Sequence, residues 1–239
     1  MAASGERGAD RPDVELARTF AELARSLLAE ESVQETLLRI CTSAVATLHG
    51  CDHAGVSLVE KRQITTPASS DDLPAQVDAI QYEVDEGPCL DAIREHQIFG
   101  TDDLAEEQRW PRFSRRAAEE TGVHSMLCFR LFTEEETIGA LNLYSKEIAA
   151  FDEADCDIGA VFAAHAAVAM AGAREHEQMQ EGIRHRDVIG QAKGILMARE
   201  GVDEDRAFEI LVQASKRTHV KLRDLAERIS HQQTWPPVT

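Results

Sequence analysis

The feature that most constrains the fold is a long run of apolar or small residues that recur at alternating spacings of four and three. The run consists of Ile158, Phe162, His165, Ala169, Gly172, His176, Met179 and Ile183. These spacings place all its members on one face of a continuous α-helix. We therefore predict a helix that is capped by Asp152 and continues to Arg199, with residues 158–183 as a coiled-coil-like connecting helix.

A second run with the same spacing lies near the N-terminus and predicts a homodimer. It comprises Leu16, Phe20, Leu23 and Leu27, within a helix predicted from about Val14 to Ala29. Two copies of each helix would form a parallel four-helix bundle that buries both stripes. The alternative is that both stripes pack on the protein's own β-sheet.

The residues between the two helices predict an α+β domain with an antiparallel sheet. The pattern first predicts a helix that begins at the Ser32–Glu35 capping box, followed by a strand at 54–60 with a hairpin partner at 64–66. A helix at 71–80, a strand at 98–101 and a helix that ends at Thr121, before Gly122, come next. The last two predicted strands, 125–132 and 138–144, form a hairpin joined by an acidic turn at 134–136. Residues 1–12 are small and polar and are predicted to be a disordered tail.

Two segments of this domain resemble the GAF family. Residues 86–92 (Glu-Gly-Pro-Cys-Leu-Asp-Ala) are similar to a segment of actinobacterial GAF domains that are fused to ANTAR domains, and residues 139–144 (Gly-Ala-Leu-Asn-Leu-Tyr) resemble a late strand of GAF domains generally. The resemblance implies a ligand-sensing domain at 13–173, with a five- or six-stranded antiparallel sheet and helices on its faces. Cys89 follows Gly-Pro near a predicted helix N-terminus, which could lower its thiol pKa and form a redox site or ligand pocket. The alternative is a buried thiol without reactivity.

The last fifty residues predict three short helices, at 186–199, from an Asp203 cap to Thr218, and at 221–231. Residues 189–197 (Ile-Gly-Gln-Ala-Lys-Gly-Ile-Leu-Met), Ala207-Phe208, Leu211, Ser215 and residues 222–226 (Leu-Arg-Asp-Leu-Ala) resemble the ANTAR domain, an RNA-binding module of antitermination regulators. The resemblance places this domain at 184–231, followed by a tail at 232–239. It implies binding to tandem RNA stem-loops, one for each domain of a dimer, which prevents an overlapping terminator hairpin.

The polar side chains of the three helices give the candidate RNA contacts. Lys193 lies off the apolar face of its helix beside Gln191, and the glycines at 190 and 194 would permit a close approach of RNA or a partner helix. Further candidate contacts are Arg186, Arg217, Lys221 and Arg223 for phosphates and Ser215 for a base. Each of them could equally be a solvated or packing residue. Phe208 is predicted to belong to the core, so recognition by base stacking is not expected.

The charge distribution separates the two regions. The chain has a net charge of -18, yet residues 180–231 hold ten basic and nine acidic side chains, so the acidity lies in residues 1–179. An acidic domain repels a polyanion, whereas a nearly neutral module with clustered cations can hold one. The exposed face of the third predicted helix mixes both signs, which is unfavourable for insertion into a DNA groove.

Other function classes lack their motifs. No phosphate-binding loop, zinc-protease, hydrolase or kinase motif is present, and we predict no enzyme, cofactor or metal; the spacing His49-x-Cys51-x-His53 is attributed to chance. Five dispersed cysteines and no signal peptide predict a cytoplasmic protein, and the apolar run from Ile158 to Ala173 is too short to span a membrane. We therefore predict a cytoplasmic, dimeric RNA-binding regulator. The alternative is a ligand-sensing regulator whose C-terminal helices bind a protein partner or DNA.

Overall fold

The chain forms two compact units, Met1–Arg174 and Glu175–Thr239. The computed structural model describes residues 12–30, 32–61, 63–95, 97–133 and 136–231. Residues 1–11 and 232–239, which make up nearly all of the two predicted tails, and residues 134–135 of the predicted acidic turn lie outside this description.

The first unit is built around a five-stranded sheet of order β2-β1-β5-β4-β3, in which every pair of neighbours is antiparallel. Its elements are α1 (Pro12–Leu28), α2 (Val33–Thr47), β1 (His53–Glu60), β2 (Gln63–Ser69), α3 (Asp72–Val84), α4 (Pro88–Glu95), β3 (Phe99–Thr101), α5 (Ser114–Thr121), β4 (Ser125–Phe132), β5 (Thr137–Ser145) and α6 (Glu153–Glu200). The α+β prediction and the order of its elements are confirmed. The predicted caps at Ser32 and Gly122 are also present.

The sheet has a separate hydrophobic core on each face because successive side chains of a strand point to opposite sides. One core joins Val56, Phe129 and Leu141 to side chains of α2 and α6. Gly159 allows α6 to lie close against this face, since a Cβ there would be 2.2 Å from the Phe129 ring. The other core joins Cys128 and further strand residues to α3, α4 and α5. Both faces of the sheet are therefore covered.

The predicted heptad stripes are partly used within the first unit. Phe162 and Ala169 of α6 and Leu23 and Leu27 of α1 are buried in the core on the α2 side of the sheet. For these residues, packing on the protein's own sheet is the observed arrangement. The exposed apolar residues of α6 in this unit are instead offset by one position from the predicted stripe. They include Val161 and Val168, which are 44% and 67% exposed.

The first part of α6 contains a stretch that is long and apolar enough to cross a membrane by length and composition alone. The run at 158–173, which was predicted to be too short to span a membrane, covers most of this stretch. Phe162, Ala166 and Met170 within it are fully buried against the sheet. One face of this stretch is therefore packed in the core of the first unit.

The second unit consists of the C-terminal part of α6 together with α7 (Glu204–Thr218) and α8 (Leu222–Ser230). Its core contains Ala192, Leu196, Ala207, Leu211, Ala214, Leu225, Ala226 and Ile229. The predicted cap is present, since the Asp203 carboxylate accepts the backbone N–H of Arg206 at 2.8 Å. The prediction that Phe208 belongs to this core is wrong. Its neighbour Ala207 faces the core, and the Phe208 side chain is 42% exposed.

Candidate functional site

Lys193, the leading candidate for RNA binding, is engaged in an ion pair within the second unit. Its ammonium group donates to the carboxylate of Glu204, at the first turn of α7. The Lys193 side chain is 22% exposed, whereas that of Glu204 is 67% exposed. The pairing lowers the pKa of the Glu204 carboxyl. An RNA phosphate at this position would compete with the Glu204 carboxylate for the ammonium group of Lys193.

The other candidates on α6 do not all share a face with Lys193. Arg186 precedes Lys193 by seven residues, so both lie on one side of the helix. Gln191 is two residues away and lies on a different side, roughly 200° around the axis. Nothing lies within 4 Å of the position that a Cβ would take at Gly190 or Gly194. The close approach that these glycines permit is therefore not used by any other described residue.

The candidates near the turn between α7 and α8 take part in local contacts. The Ser215 hydroxyl donates to the backbone carbonyl of Val220 at 2.6 Å, which ties α7 to the start of α8. Arg223 contacts Asp224 at 3.1 Å and lies 3.4 Å from an imidazole nitrogen of His185 on α6. Lys221 is exposed at the N-terminal end of α8. Ser215 and Arg223 thus hold the three helices together, whichever further contacts they make.

Arg217 is, like Arg186 and Lys221, a predicted cation that is exposed in the structure. It is exposed in the last turn of α7, and it forms no ion pair with any residue in the described part of the chain. It lines a cavity of about 360 Å³ together with Arg206 and Gln213, which were not among the predicted RNA contacts. The signal was present in the sequence, because these residues recur at helical spacing along α7.

The first unit contains a buried polar cluster on the α3–α5 side of the sheet. At its centre is Asp78 of α3, which is fully buried. One carboxylate oxygen accepts from the Tyr144 hydroxyl at 2.5 Å and the Gln81 amide at 2.9 Å. The other accepts from the Thr66 hydroxyl at 2.7 Å and the Ser57 hydroxyl at 3.2 Å. Burial raises the pKa of Asp78 against the opposing effect of these hydrogen bonds.

Cys89, the predicted redox or ligand residue, belongs to this cluster. It is fully buried, and its thiol lies 3.2 Å from the Ser57 hydroxyl. Burial and the nearby Asp78 raise the thiol pKa well above its ordinary value. Its position at the start of α4 therefore does not produce a thiolate. The Asn142 carbonyl oxygen, in the same cluster, is a buried acceptor without a hydrogen-bond donor among the described residues.

The segment at 86–92 forms hydrogen bonds that fix the start of α4 next to this cluster. The Glu86 carboxylate accepts from the backbone N–H and the side chain of Arg112, at 2.9 and 2.6 Å. Gly87 has a φ of 142°, and a Cβ there would be 2.2 Å from the side-chain amide oxygen (Oε1) of Gln81. That oxygen accepts the backbone N–H of Cys89 at 3.0 Å. The structural role of this segment is therefore to connect the end of α3, the start of α4 and the residues that precede α5.

The His49–Cys51–His53 spacing does not form a metal site. Among the described residues there is no group of three or more His, Cys, Asp or Glu side chains suited to a metal ion. The Cys51 thiol instead donates to the His53 carbonyl at 3.3 Å, and the His53 ring lies 2.6 Å from the Asp71 carboxylate.

Comparisons with protein families match both regions of the chain. Residues 30–171 match the model of the GAF domain, and residues 177–229 match the model of the ANTAR domain. A comparison with curated proteins gives no match.

Three solved structures with low sequence identity to this chain share its fold. The GAF domain of an Acinetobacter phosphoenolpyruvate-protein phosphotransferase is 16% identical with a TM-score of 0.54, covering 67% of this chain and 95% of that one. Free methionine-R-sulfoxide reductase from Neisseria meningitidis, in complex with its substrate, is 16% identical with a TM-score of 0.53, covering 73% and 99%. The photosensory core module of a Stigmatella aurantiaca phytochrome is 14% identical with a TM-score of 0.57, covering 89% and 46%. These similarities concern the fold alone.

Proposed function

Because the chain belongs to the GAF-domain family and carries an ANTAR domain of the RNA-binding antiterminator family, we propose that it binds tandem stem-loops of a leader RNA and permits transcription past a terminator. In this proposal the protein is a cytoplasmic homodimer. Each ANTAR domain binds one hairpin loop, and the GAF domain controls the availability or spacing of the two domains. No step of this function is catalytic.

The observation that carries the proposal is the coincidence of the ANTAR match with a separate compact unit. The match covers residues 177–229, within the unit Glu175–Thr239, which has its own hydrophobic core. This unit holds the exposed cations Arg186, Arg217 and Lys221, whereas residues 1–179 have a net charge of -19. Binding of a polyanion is therefore favoured at the second unit and opposed by the first.

The outer face of α6 in the first unit supports the proposed dimer. Val168 and Ala164 both line two neighbouring cavities, of about 860 and 220 Å³, whose walls are mostly apolar. Val161 lies seven residues before Val168, so both residues point to the same side of the helix. A second copy related by a twofold axis would cover the same residues on both chains. Charge at Val168 should then separate the dimer.

The dimer can be tested by measuring the mass in solution. We expect multi-angle light scattering to give a dimer at micromolar concentration for the wild type and a monomer for Val168→Glu. The matched control is Ile148→Glu, which places the same charge at a residue that is 59% exposed and lies outside the helix. A monomeric wild type, or dissociation by both variants, would contradict the assignment of this face.

RNA binding is tested with labelled RNA that contains two hairpins, one hairpin or a duplex of the same sequence, and with duplex DNA. We expect the two-hairpin RNA to bind most tightly, because the second contact becomes intramolecular. Affinity should fall as salt rises. If no hairpin RNA binds at low salt, the proposal is wrong. Preferential binding to duplex DNA would favour the DNA alternative.

A protein partner for the ANTAR domain is the second candidate, favoured by the exposed aromatic side chain of Phe208, which is 42% exposed. Ile195 and Met197 are also exposed, at 38% and 37%, but they are two residues apart and point to different sides of α6. An exposed aromatic side chain on a helix can dock on a partner protein. In a test for this candidate, Phe208→Ser would abolish capture of the partner while leaving the affinity for hairpin RNA unchanged.

For the GAF domain we propose a small polar molecule as the input, at the Asp78 cluster. Asn142 supplies a buried acceptor that lacks a donor among the described residues, so a ligand that donates a hydrogen bond would complete the cluster. Mass spectrometry of small molecules released by denaturing the wild type, with Asn142→Leu as the comparison, tests this input. Equal recovery of a released molecule from both proteins would contradict this position.

A further inference from the structure

The cavity on the second unit lies along one side of α7 and is lined by residues of different chemistry. Arg206, Ile210, Gln213 and Arg217 recur at spacings of four, three and four, which places them in a single row along the helix. Leu196 and Glu200 of α6 form the opposite wall, and Ala214 completes the lining. The volume of about 360 Å³ lies within the range of sites that hold a small planar group.

The floor of the cavity is apolar, whereas its ends are cationic. Leu196 and Ala214 are buried and Ile210 is half-buried, so together they offer an aliphatic surface. Arg206 and Arg217 are separated by eleven residues, or about 16 Å along the helix axis. An aliphatic floor between two guanidinium groups suits a flat base with a phosphate on either side.

Both cations are available to a phosphate. Arg206 contacts Glu209 at 2.7 Å, but the two side chains are 55% and 60% exposed, so water and an RNA phosphate can compete for this pair. Arg217 has no ion pair within the described residues.

The remaining polar groups of the cavity suit the edge of a base. The Gln213 amide is exposed and offers both a donor and an acceptor. The Glu200 carboxylate offers acceptors only, and its nearest cation is Arg199 at 3.7 Å. A carboxylate in this position repels a phosphate but can accept from the amino group of a base. The cavity therefore favours a base at its centre over a phosphate.

We propose that this cavity binds one unpaired nucleotide of a hairpin loop, with its base on the aliphatic floor, its edge at Gln213 and the flanking phosphates at Arg206 and Arg217. The inference rests on the proposed RNA-binding function and adds the position that recognises a base. It differs from the predicted Lys193 surface, where the ammonium group already forms an ion pair with Glu204. An unpaired base is the part of a hairpin that a protein can recognise individually.

The test uses the full-length protein, fluorescence anisotropy and a labelled two-hairpin RNA. The variants are Arg217→Gln and Gln213→Ala, with Lys216→Gln as the matched control. Lys216 is an exposed neighbour with the same charge as Arg217, but it points roughly 100° away around α7. Circular dichroism establishes that each variant keeps its helices. Each loop nucleotide of the RNA is then replaced in turn by an abasic one.

We expect Arg217→Gln to weaken binding about fivefold or more and to reduce the salt slope by about one, while Lys216→Gln changes the affinity about threefold or less. Gln213→Ala should weaken binding about fivefold or more. At one loop position the abasic substitution should make the wild type and Gln213→Ala bind equally, because the contact is then absent from both.

If the wild type binds hairpin RNA while Arg217→Gln and Gln213→Ala behave like Lys216→Gln, the cavity is not the recognition site, although the proposed function stands. If the wild type itself does not bind hairpin RNA, the proposed function fails and this inference fails with it. Binding of an acidic peptide in place of RNA, lost in Arg217→Gln, would assign the cavity to a protein ligand and overturn the nucleotide.

Discussion

Replacement of Asp78 by Ala should strongly destabilise the GAF domain, because it removes the acceptor at the centre of the buried cluster. The Tyr144 hydroxyl and the Gln81 side-chain amide both donate to Asp78 and have no other acceptor in the cluster. Both residues are fully buried. Each unsatisfied buried donor costs about 1–3 kcal/mol, so the free energy of unfolding should fall by about 2–6 kcal/mol. The substitution also removes the free-energy cost of burying a carboxyl group, so we expect a loss of stability towards the lower end of this range.

A double-mutant cycle isolates the hydrogen bond from Tyr144. Tyr144→Phe should cost about 1–3 kcal/mol in the wild type and much less in Asp78→Ala, where the hydroxyl has already lost its acceptor. Asp78→Asn keeps one carbonyl oxygen for the Tyr144 and Gln81 donors, so it should cost less than half as much as Asp78→Ala. Urea denaturation followed by the fluorescence of the buried Trp110, with Trp235→Phe in every protein, measures these values.

The pH dependence gives an independent measurement of the same cluster. The pKa of Asp78 in the folded protein is raised above the unfolded value of 3.8, so the folded state holds this proton more tightly. The stabilisation is fully present below the unfolded pKa and is lost as the pH rises through the folded pKa. Asp78→Asn should lack this component. Additive costs of Asp78→Ala and Tyr144→Phe, together with an unchanged pH profile in Asp78→Asn, would refute the reasoning.

Three further predictions concern single residues. Glu204→Gln should strengthen binding to hairpin RNA a few-fold at low salt, because Lys193 loses its carboxylate partner. The control is Glu227→Gln, since Glu227 is exposed and has no ion pair in the described part of the chain. Equal effects of the two variants in a filter-binding assay would contradict this role of Glu204. Leu211→Ala should lower the free energy of unfolding by about 2–5 kcal/mol, whereas Phe208→Ala should cost less than about 1 kcal/mol because its side chain is exposed, as urea denaturation monitored by circular dichroism can show. In the native protein Cys156 should react with a maleimide before Cys89, since it is only half-buried; peptide mass mapping after brief labelling would contradict this order if Cys89 were modified first.

The sequence predicted the element order well because the dominant signals are local. The capping box at Ser32, the Gly122 stop and the two late strands each occupy a few neighbouring residues whose pattern allows one structure. The Asp78 cluster was not predicted, because its members come from five separate elements and meet only in the folded domain. An acidic residue in a helix gives no local indication that it is buried.

The helical stripes show where periodicity stops being informative. A spacing of four and three identifies a face of α6 but does not say what covers that face. In the first unit the sheet covers Phe162 and Ala169, so the exposed apolar residues are the neighbours Val161 and Val168. Phe208 was assigned to the core for a similar reason. It follows the buried Ala207 directly, and one position along a helix turns a side chain by about 100° out of the core.

The ion pairs within the second unit give a physical reason for a target with two hairpins. Lys193, Arg206 and Arg223 each contact a carboxylate of the same unit, so an RNA phosphate competes with an existing partner at these positions. One module therefore gains less from each phosphate than its cation content suggests, and a single hairpin would be held weakly. Two modules in a dimer would turn the second contact into an intramolecular one, which raises the overall affinity without any new side chain. Under the proposed function, a change in the dimer would then be sufficient to release the RNA.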